Sequence, residues 1–329
     1  MKILVIGLEG VDPKTLLSDD RLGNIRRLMN AGCFGPMEGV VPSPSFPAWV
    51  CMAASQDAGA PGIGDFRNRG DLQSKMEFIW DRVGRDGKTS ILFGIPFGYG
   101  PRIDSGNSSV GVLDSESNQW TLTSPDSIRN EIKNINLENT SKDLMALSNS
   151  DIKEKRFLIT ENRFESVRYL IQNHSWDYFQ FVEIVPSSIQ QNLKQTSELL
   201  DHEKSHFGEV SQNYLHRLDE EIGSVLELLT DDTIVCVVAI SIDHTDTQAA
   251  VVKGSFLIAS TNNPLIGPMD GVNLLDIAPT LLELAGYEIP ASMKGRSLVE
   301  GKHVDSESGY TLDEEEAIKA RLSGLGYIS

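Results

Sequence analysis

Short, nearly uninterrupted apolar runs constrain this chain more than any other feature of its sequence. Four of them read KILVIGL (2–8), KTSILFG (88–94), WDYFQFV (176–182) and TIVCVVAISI (233–242). A strand that is apolar at almost every position must be covered on both faces, as strands inside a parallel sheet are. Segments with helical spacing separate the runs, at 22–31, 151–173 and 205–229. The alternation predicts an α/β fold: a mostly parallel sheet with helices on both faces.

Shorter patterns and turn residues predict the remaining elements of a single domain over 1–329. Strands are expected at 37–41 and 255–259, and a helix is expected after Pro47. Asp276 is expected to cap a helix over 277–285 that ends at Gly286. Residues 102–160 are interpreted as an irregular insertion, with 104–125 as loop and one short element, and 305–329 as a C-terminal helix and tail.

The charge balance narrows the classes of partner. The 329 residues hold 29 Lys and Arg against 47 Asp and Glu, a formal net charge of −18, and are 40% hydrophobic, enough for a large core. Nucleic acids and anionic membranes attract basic surfaces, so neither is expected as a partner. The apolar run at the start is too short for a signal peptide or a membrane span. Three scattered cysteines indicate neither a disulfide framework nor a zinc ribbon. We expect an acidic, cytoplasmic protein.

Chemistry-bearing residues lie beside three of the predicted strands, where the active sites of parallel sheets are found. Glu9 comes directly after the first run. Ser43 and Ser45 lie just before a predicted helix. Asp243 and His244 follow the most apolar run. Each also has a plainer interpretation: Glu9 as a solvated or capping acid, the two serines as helix caps, and the Asp-His pair as part of a turn. Together they can offer a carboxylate, a hydroxyl and an imidazole to one divalent cation, which would activate the hydroxyl and neutralise an attacked phosphate.

Five segments resemble one family. They are KILVIGLEG (2–10), IRRLMNAGCFGPMEGVVPSPSFPAW (25–49), GIGDFRNRG (62–70), LLDIAPTLLELAGYEIPASMKGRSL (274–298) and RLSGLGYIS (321–329). These segments resemble the type I phosphodiesterase/nucleotide pyrophosphatase-like branch of the alkaline phosphatase superfamily. The likeness is good over 1–100 and 271–329 and moderate over 162–241. It implies an alkaline-phosphatase-like α/β core.

Members of that family normally hold two metals, and the first ligand set can be carried over by position. The resemblance implies that Ser45 is the nucleophile. It also implies that Glu9, Ser45, Asp243 and His244 hold the first metal, with Glu9 standing where the family has an aspartate. That metal would be zinc or manganese.

The Asp-His motif departs from the family's Ser-Asp-His-Gly pattern. Ile242 stands between Ser241 and Asp243, and a threonine replaces the glycine that follows. An alignment without a gap puts Ala239, Ile240 and Ser241 on the motif instead. Both alignments are open from the sequence.

The second metal site has lost its ligands by the same comparison. Ser187 and Gln191 stand where the family has an aspartate and a histidine, and Ala250 lies where a late histidine belongs. None of these side chains is a good ligand for a divalent metal. Asp243 and Gly254 are only eleven positions apart, so the family's cap insertion is also missing.

Two functions of different class follow. The one we favour is a catalytically impaired or non-catalytic descendant, a pseudoenzyme that keeps the fold as a binding or assembly module and holds no metal. Its partner would be another protein or a second copy of the chain. The alternative is a one-metal hydrolase of phosphoesters or related esters, with Ser45 as the nucleophile.

Overall fold

A large mixed sheet forms the centre of the protein. The computed structural model describes residues 1–39, 45–57, 77–96, 112–114, 119–121, 131, 152–184, 186, 201–243, 251–261 and 263–299. The strands of the large sheet are β1 (Lys2–Glu9), β2 (Gly32–Glu38), β3 (Ser90–Phe93), β7 (Tyr178–Glu183), β8 (Thr233–Asp243), β9 (Val251–Ala259), β10 (Gly267–Pro268) and β11 (Val272–Asn273). A small second sheet contains β4 (Ile95–Pro96), β5 (Val112–Asp114) and β6 (Gln119–Thr121).

The strand order of the large sheet is β10-β2-β9-β8-β1-β7-β3, and β11 also pairs with β2. Five pairings are parallel, and only β9 runs antiparallel to its two neighbours, β2 and β8. The predicted mostly parallel sheet is confirmed. Because β1, β7 and β8 are parallel neighbours, their carboxyl ends meet at one edge of the sheet.

Helices cover both faces of this sheet. They are α1 (Pro13–Ser18), α2 (Gly23–Ala31), α3 (Ser45–Ala54), α4 (Ile79–Arg85), α5 (Ile152–Asn173), α6 (Asp201–Leu226) and α7 (Ile277–Leu284). One core packs α3, α4 and α7 on one face, and a second core packs α1, α2, α5 and α6 on the other. Residues 3–8 are all buried because side chains that alternate along β1 enter both cores. Among the described helices, none is long and apolar enough to cross a membrane.

Several predicted boundaries were wrong. The second strand runs over Gly32–Glu38 rather than 37–41, and β9 begins at Val251, four residues before the predicted start. The segment over 104–125, interpreted as loop with one short element, contains two short strands, β5 and β6. The predicted helix over 151–173 is confirmed by α5, which begins at Ile152, inside the segment 102–160 interpreted as irregular. The predicted tail over 305–329 lies outside the described residues.

The side chain of Asp276 accepts different hydrogen bonds from those predicted. Its side chain makes no capping hydrogen bond to α7. Its two carboxylate oxygens instead accept from the backbone N–H groups of Asn273 and Arg296, at 2.9 Å each. A 3₁₀ turn (Leu274–Asp276) precedes α7, so the buried carboxylate joins that turn to the Gly295–Arg296 turn. Gly286 follows the helix with φ +81°, as expected of a terminating glycine.

Candidate active site

The structure brings two of the predicted site residues to the same end of the sheet. Glu9 is the last residue of β1, and Asp243 is the last residue of the neighbouring strand β8. Ser45 is the first residue of α3. For Ser45 and Asp243 the structure describes the backbone only. His244 and the second-site positions Ser187, Gln191 and Ala250 lie outside the described residues, so their predicted roles stay predictions.

The side chain of Glu9 is held by a tryptophan that sequence reasoning did not single out. Trp49 donates a hydrogen bond from Nε1 to Oε2 of Glu9, at 2.9 Å. Its ring lies over Gly7, where an added Cβ would be 2.6 Å from Cη2. The indole is 1% exposed and part of the core between α3 and the sheet. The end of β1 and helix α3 are therefore joined by packing and by a hydrogen bond to a carboxylate.

The same tryptophan connects the helix of the candidate nucleophile to the end of β1. Ser45 and Trp49 are four residues apart on α3, so they lie on the same side of the helix, one turn apart. The fixed indole thereby brings the first turn of α3 to the carboxyl end of β1. The spacing of Ser45 and Trp49 was visible in the sequence, but nothing there distinguished Trp49 from an ordinary core residue.

Strand register decides which residues lie beside Glu9. Glu9 pairs with Ile240 of β8, Ile240 pairs with Gly254 of β9, and Gly254 pairs with Met37 of β2. Ile240 is fully buried and Met37 is 4% exposed. The methyl group of Met37 covers Gly254, since an added Cβ there would be 2.6 Å from Met37 Cε. The row that starts at Glu9 is apolar across three neighbouring strands.

In this register the neighbour of Glu9 is Ile240, the residue on which the alignment without a gap puts the motif's aspartate. Asp243 lies three residues further along β8, about 10 Å at the rise of an extended strand. The backbone therefore separates position 243 from Glu9 along the strand direction.

Of the four residues that the resemblance assigns to the first metal, only Glu9 has a described side chain, so the metal site stays a prediction. A zinc or manganese site needs at least three convergent nitrogen, oxygen or sulfur ligands. Within the described ranges, no group of three or more histidine, cysteine, aspartate or glutamate side chains could hold a metal ion. At the ends of β1 and β7 lie two described carboxylates: Glu9, beside the buried Ile240, and Glu183, which is paired with Arg163.

A buried ion pair lies at the end of β7, next to β1. Arg163 of α5 and Glu183 are 2% and 0% exposed, with Arg163 Nε 2.9 Å from Glu183 Oε2. Arg163 also donates from Nη2 to the carbonyl of Val182, beyond the point where β3 stops pairing with β7. Gly94, with φ +69°, leaves room for the guanidinium, because a Cβ there would lie 2.5 Å from Nη2. The pair fixes the end of β7 and was not predicted from the sequence.

The three cysteines are not candidates for nucleophilic catalysis. Cys33, Cys51 and Cys236 are buried and form no disulfide. Burial raises the pKa of the Cys33 thiol to about 11 and raises the pKa of the Cys51 thiol well above its ordinary value. A thiol must lose its proton to attack, so these groups are unreactive at neutral pH.

A small open pocket lies beside the loop that follows β1. It has a volume of about 70 Å³ and is lined by Gly10, Val11, Asp12, Thr15, Pro186, Tyr214 and Leu215. Its polar groups are already engaged: Asp12 accepts from the Thr15 backbone and hydroxyl, and Tyr214 shares a hydrogen bond with Thr160. The pocket is too small for anything much larger than a few water molecules.

Solved structures of known proteins share this architecture. The phosphonate monoester hydrolase of Silicibacter pomeroyi matches with a TM-score of 0.61 and 14% identity, over 94% of this chain and 78% of the hydrolase. A 2-O GAG sulfatase matches with a TM-score of 0.63 and 13% identity, over 94% and 76%. A protein of the alkaline phosphatase superfamily from Vibrio parahaemolyticus matches with a TM-score of 0.52 and 14% identity, over 91% and 69%. The chain therefore has the alkaline-phosphatase-like fold.

Sequence comparisons assign the family. A 2,3-bisphosphoglycerate-independent phosphoglycerate mutase from Vibrio parahaemolyticus serotype O3:K6 is 33% identical over 102 residues, which cover 28% of this chain and 20% of the mutase. The chain thus spans about a fifth of the length of that curated relative. The sequence profile of type I phosphodiesterases and nucleotide pyrophosphatases matches residues 3–249, well over half of the chain. The protein belongs to the type I phosphodiesterase/nucleotide pyrophosphatase family.

Proposed function

We propose that the protein is a non-catalytic member of this family that uses the fold as a binding or assembly module. The observation that carries the proposal is the register at the end of β1. Glu9 has the buried side chain of Ile240 as its neighbour, at the position where the alignment without a gap puts the family's aspartate. A phosphoryl-transfer site that lacks its metal ion loses several kcal/mol of transition-state stabilisation, and its rates fall by orders of magnitude.

The sequence supports the same proposal at the second metal site. Ser187, Gln191 and Ala250 replace the three ligands that the resemblance assigns there, and the cap insertion is missing. One replaced ligand can reflect a local shift in alignment. Three replaced ligands together with a missing segment support the loss of the second metal site.

The module would bind another protein or a second copy of itself in the cytoplasm. A net charge of −18 argues against nucleic acids and anionic membranes as partners. Three buried, unpaired thiols suit a reducing compartment, where disulfides are rare.

A one-metal hydrolase of phosphoesters or related esters is the second candidate. It is favoured by the position of Ser45, at the first turn of a helix that the Trp49–Glu9 hydrogen bond holds against the end of β1. The first turn of such a helix directs unpaired backbone N–H groups outward, and these bind anions. Ser45 would then attack the ester, and Glu9, Asp243 and His244 would supply the ligands of a zinc or manganese ion.

Metal content and turnover distinguish the two functions. We expect purified protein to contain far less than one equivalent of zinc or manganese by elemental analysis. We also expect hydrolysis of p-nitrophenyl phosphate, and of its diester, at the same background rate for the wild type, Ser45→Ala and Ser43→Ala. Ser43→Ala is the matched control, since it removes a hydroxyl two residues away. Stoichiometric metal together with turnover that disappears only in Ser45→Ala would establish the hydrolase instead.

A further inference from the structure

We infer that residues 287–298 form a strap that opens and closes as one unit, with Ser55 as its latch. This closing strap follows α7 and returns to the end of α3, where the backbone N–H of Lys294 donates to the carbonyl of Ser55 at 2.8 Å. Its contacts with α3 are at the C-terminal end, whereas Ser45 begins that helix. The inference goes beyond the function proposed above and holds for either candidate function.

The strap has little local structure of its own. Residues 286–296, all of which the structure describes, contain no helix or strand, and each of them is exposed or half-buried. Tyr287, Ile289 and Met293 pack only partly against the core on the α3 side of the sheet. Segments with few buried apolar contacts open locally at a free energy below that of global unfolding. The strap is therefore expected to open while the sheet stays folded.

Ser55 joins the strap to two other elements. Its side chain is fully buried. The hydroxyl accepts from the N–H of Gly295 at 2.8 Å and donates to the carbonyl of Leu275 at 2.7 Å. Gly295 lies close against the same carbonyl, since an added Cβ would be 2.0 Å from its oxygen. One hydroxyl thereby connects the strap to the end of α3 and to the 3₁₀ turn before α7.

The backbone conformation of Ser55 supports this role for its hydroxyl. Ser55 has φ +50°, and it is the one non-glycine residue with a positive φ among those that the structure describes. It follows the last turn of α3, a position where helices commonly have glycine because a Cβ is strained there. A serine at this position keeps a strain that glycine would avoid. In exchange it makes the two hydrogen bonds to Leu275 and Gly295.

Buried side chains hold the far end of the strap. The N–H of Arg296 donates to Asp276 at 2.9 Å, and the N–H of Leu298 donates to the hydroxyl of Thr280 at 3.0 Å. Asp276 and Thr280 are both buried. Together with the two N–H groups bonded to Ser55, four backbone N–H groups of the strap have acceptors outside it. All four lose these acceptors when the strap opens.

The remaining polar contacts of the strap are exposed and weaker. Gln56 donates to the carbonyl of Ser292, and Lys294 forms an ion pair with Asp57. Exposed ion pairs contribute little to stability, because water and salt screen them. The buried hydroxyl of Ser55 is therefore the contact whose loss should open the strap most.

Native-state hydrogen exchange measures this opening. Ile6 reports global unfolding, because it lies inside β1 between the parallel strands β7 and β8. In the wild type we expect the strap N–H groups to share one opening constant, about tenfold or more larger than that of Ile6. These N–H groups belong to Lys294, Gly295, Arg296 and Leu298. Four different opening constants, or the same constant as Ile6, would overturn the inference.

Ser55→Ala tests the latch, because it removes the hydroxyl and keeps the Cβ. We expect it to raise the opening constant of all four strap N–H groups about tenfold. Ser166→Ala is the matched control, since Ser166 of α5 is also fully buried and its hydroxyl donates to the carbonyl of Asn162 at 2.9 Å. The control should leave the strap unchanged. A rise in Ser55→Ala that is confined to Gly295, or an equal rise in both variants, would contradict the inference.

A core variant keeps the test decisive even if Ser55→Ala does not fold. Val237→Ala leaves a cavity in the second core, on the opposite face of the sheet from α3 and α7. It should raise the opening constant of Ile6 about tenfold and leave that of the strap unchanged, because Val237 stays packed while only the strap is open. An equal rise for Ile6 and the strap would show that the strap opens only with the whole molecule, and the inference would be wrong.

Discussion

Residue 7 is a glycine, and its lack of a side chain determines how closely α3 can approach the sheet. The indole of Trp49 occupies the space above Gly7, with Cη2 and Cζ3 at 2.6 and 2.7 Å from where a Cβ would lie. Trp49 is fully buried, so it has no free space to move into. We expect Gly7→Ala to lower the free energy of unfolding by about 1–3 kcal/mol, the usual cost of overpacking a core.

Gly23→Ala is the control for that substitution. Gly23 begins α2, and nothing lies within 4 Å of where its Cβ would be. The alanine should stabilise the protein by about 0.4–1 kcal/mol, mainly by restricting the unfolded chain. Urea denaturation of the two variants measures both effects. A free energy of unfolding for Gly7→Ala that is no lower than that of Gly23→Ala would contradict the packing of Trp49 against β1.

At the scale of elements, a helix can be capped by a residue far away in the chain. No side chain caps α2 from Leu22, the residue that precedes it. Asp219 of α6 instead accepts from the backbone N–H groups of Asn24 and Ile25, at 3.0 and 2.9 Å. The carboxylate is 5% exposed and satisfies N–H groups that a helix start leaves unpaired.

The loss of this cap should be measurable. We expect Asp219→Ala to lower the free energy of unfolding by about 2 kcal/mol, the upper part of the range for capping residues. Glu220→Ala is the matched control, because Glu220 is exposed on the same helix and should change stability by less than about 0.5 kcal/mol. If the two variants unfold at the same urea concentration, the contact with α2 does not contribute to stability.

The elements that sequence patterns located well are those that local rules decide. The apolar runs predicted β1, β7 and β8 to within two or three residues, because a strand buried on both faces has almost no polar positions. β9 was predicted too short because its first residues pair with β8 beyond the end of β1, and hydropathy does not report such an extension.

The candidate site was only partly predictable for a similar reason. Glu9 and Ser45 were singled out from the residues around them, and their catalytic and metal-binding roles stay predictions. Strand register sets the residue that lies beside Glu9. A difference of a few residues along β8 puts Ile240 there and not Asp243. The roles of Trp49 and Arg163 depend on contacts 40 and 20 residues away in the chain, which no local pattern reveals.

For the whole molecule, the excess of acidic residues opposes the compact state. The acidic side chains that give a formal net charge of −18 repel one another more strongly when the chain is folded than when it is expanded. Salt screens this repulsion, since the Debye length falls from about 30 Å at 0.01 M to about 8 Å at 0.15 M ionic strength. We therefore expect the thermal midpoint at pH 7 to rise when sodium chloride is increased over that range. The control is the same titration near the isoelectric point, about pH 4.7, where the net charge is small and added salt should raise the midpoint much less. Equal gains at both pH values would mean that salt acts through surface hydration and not through net charge.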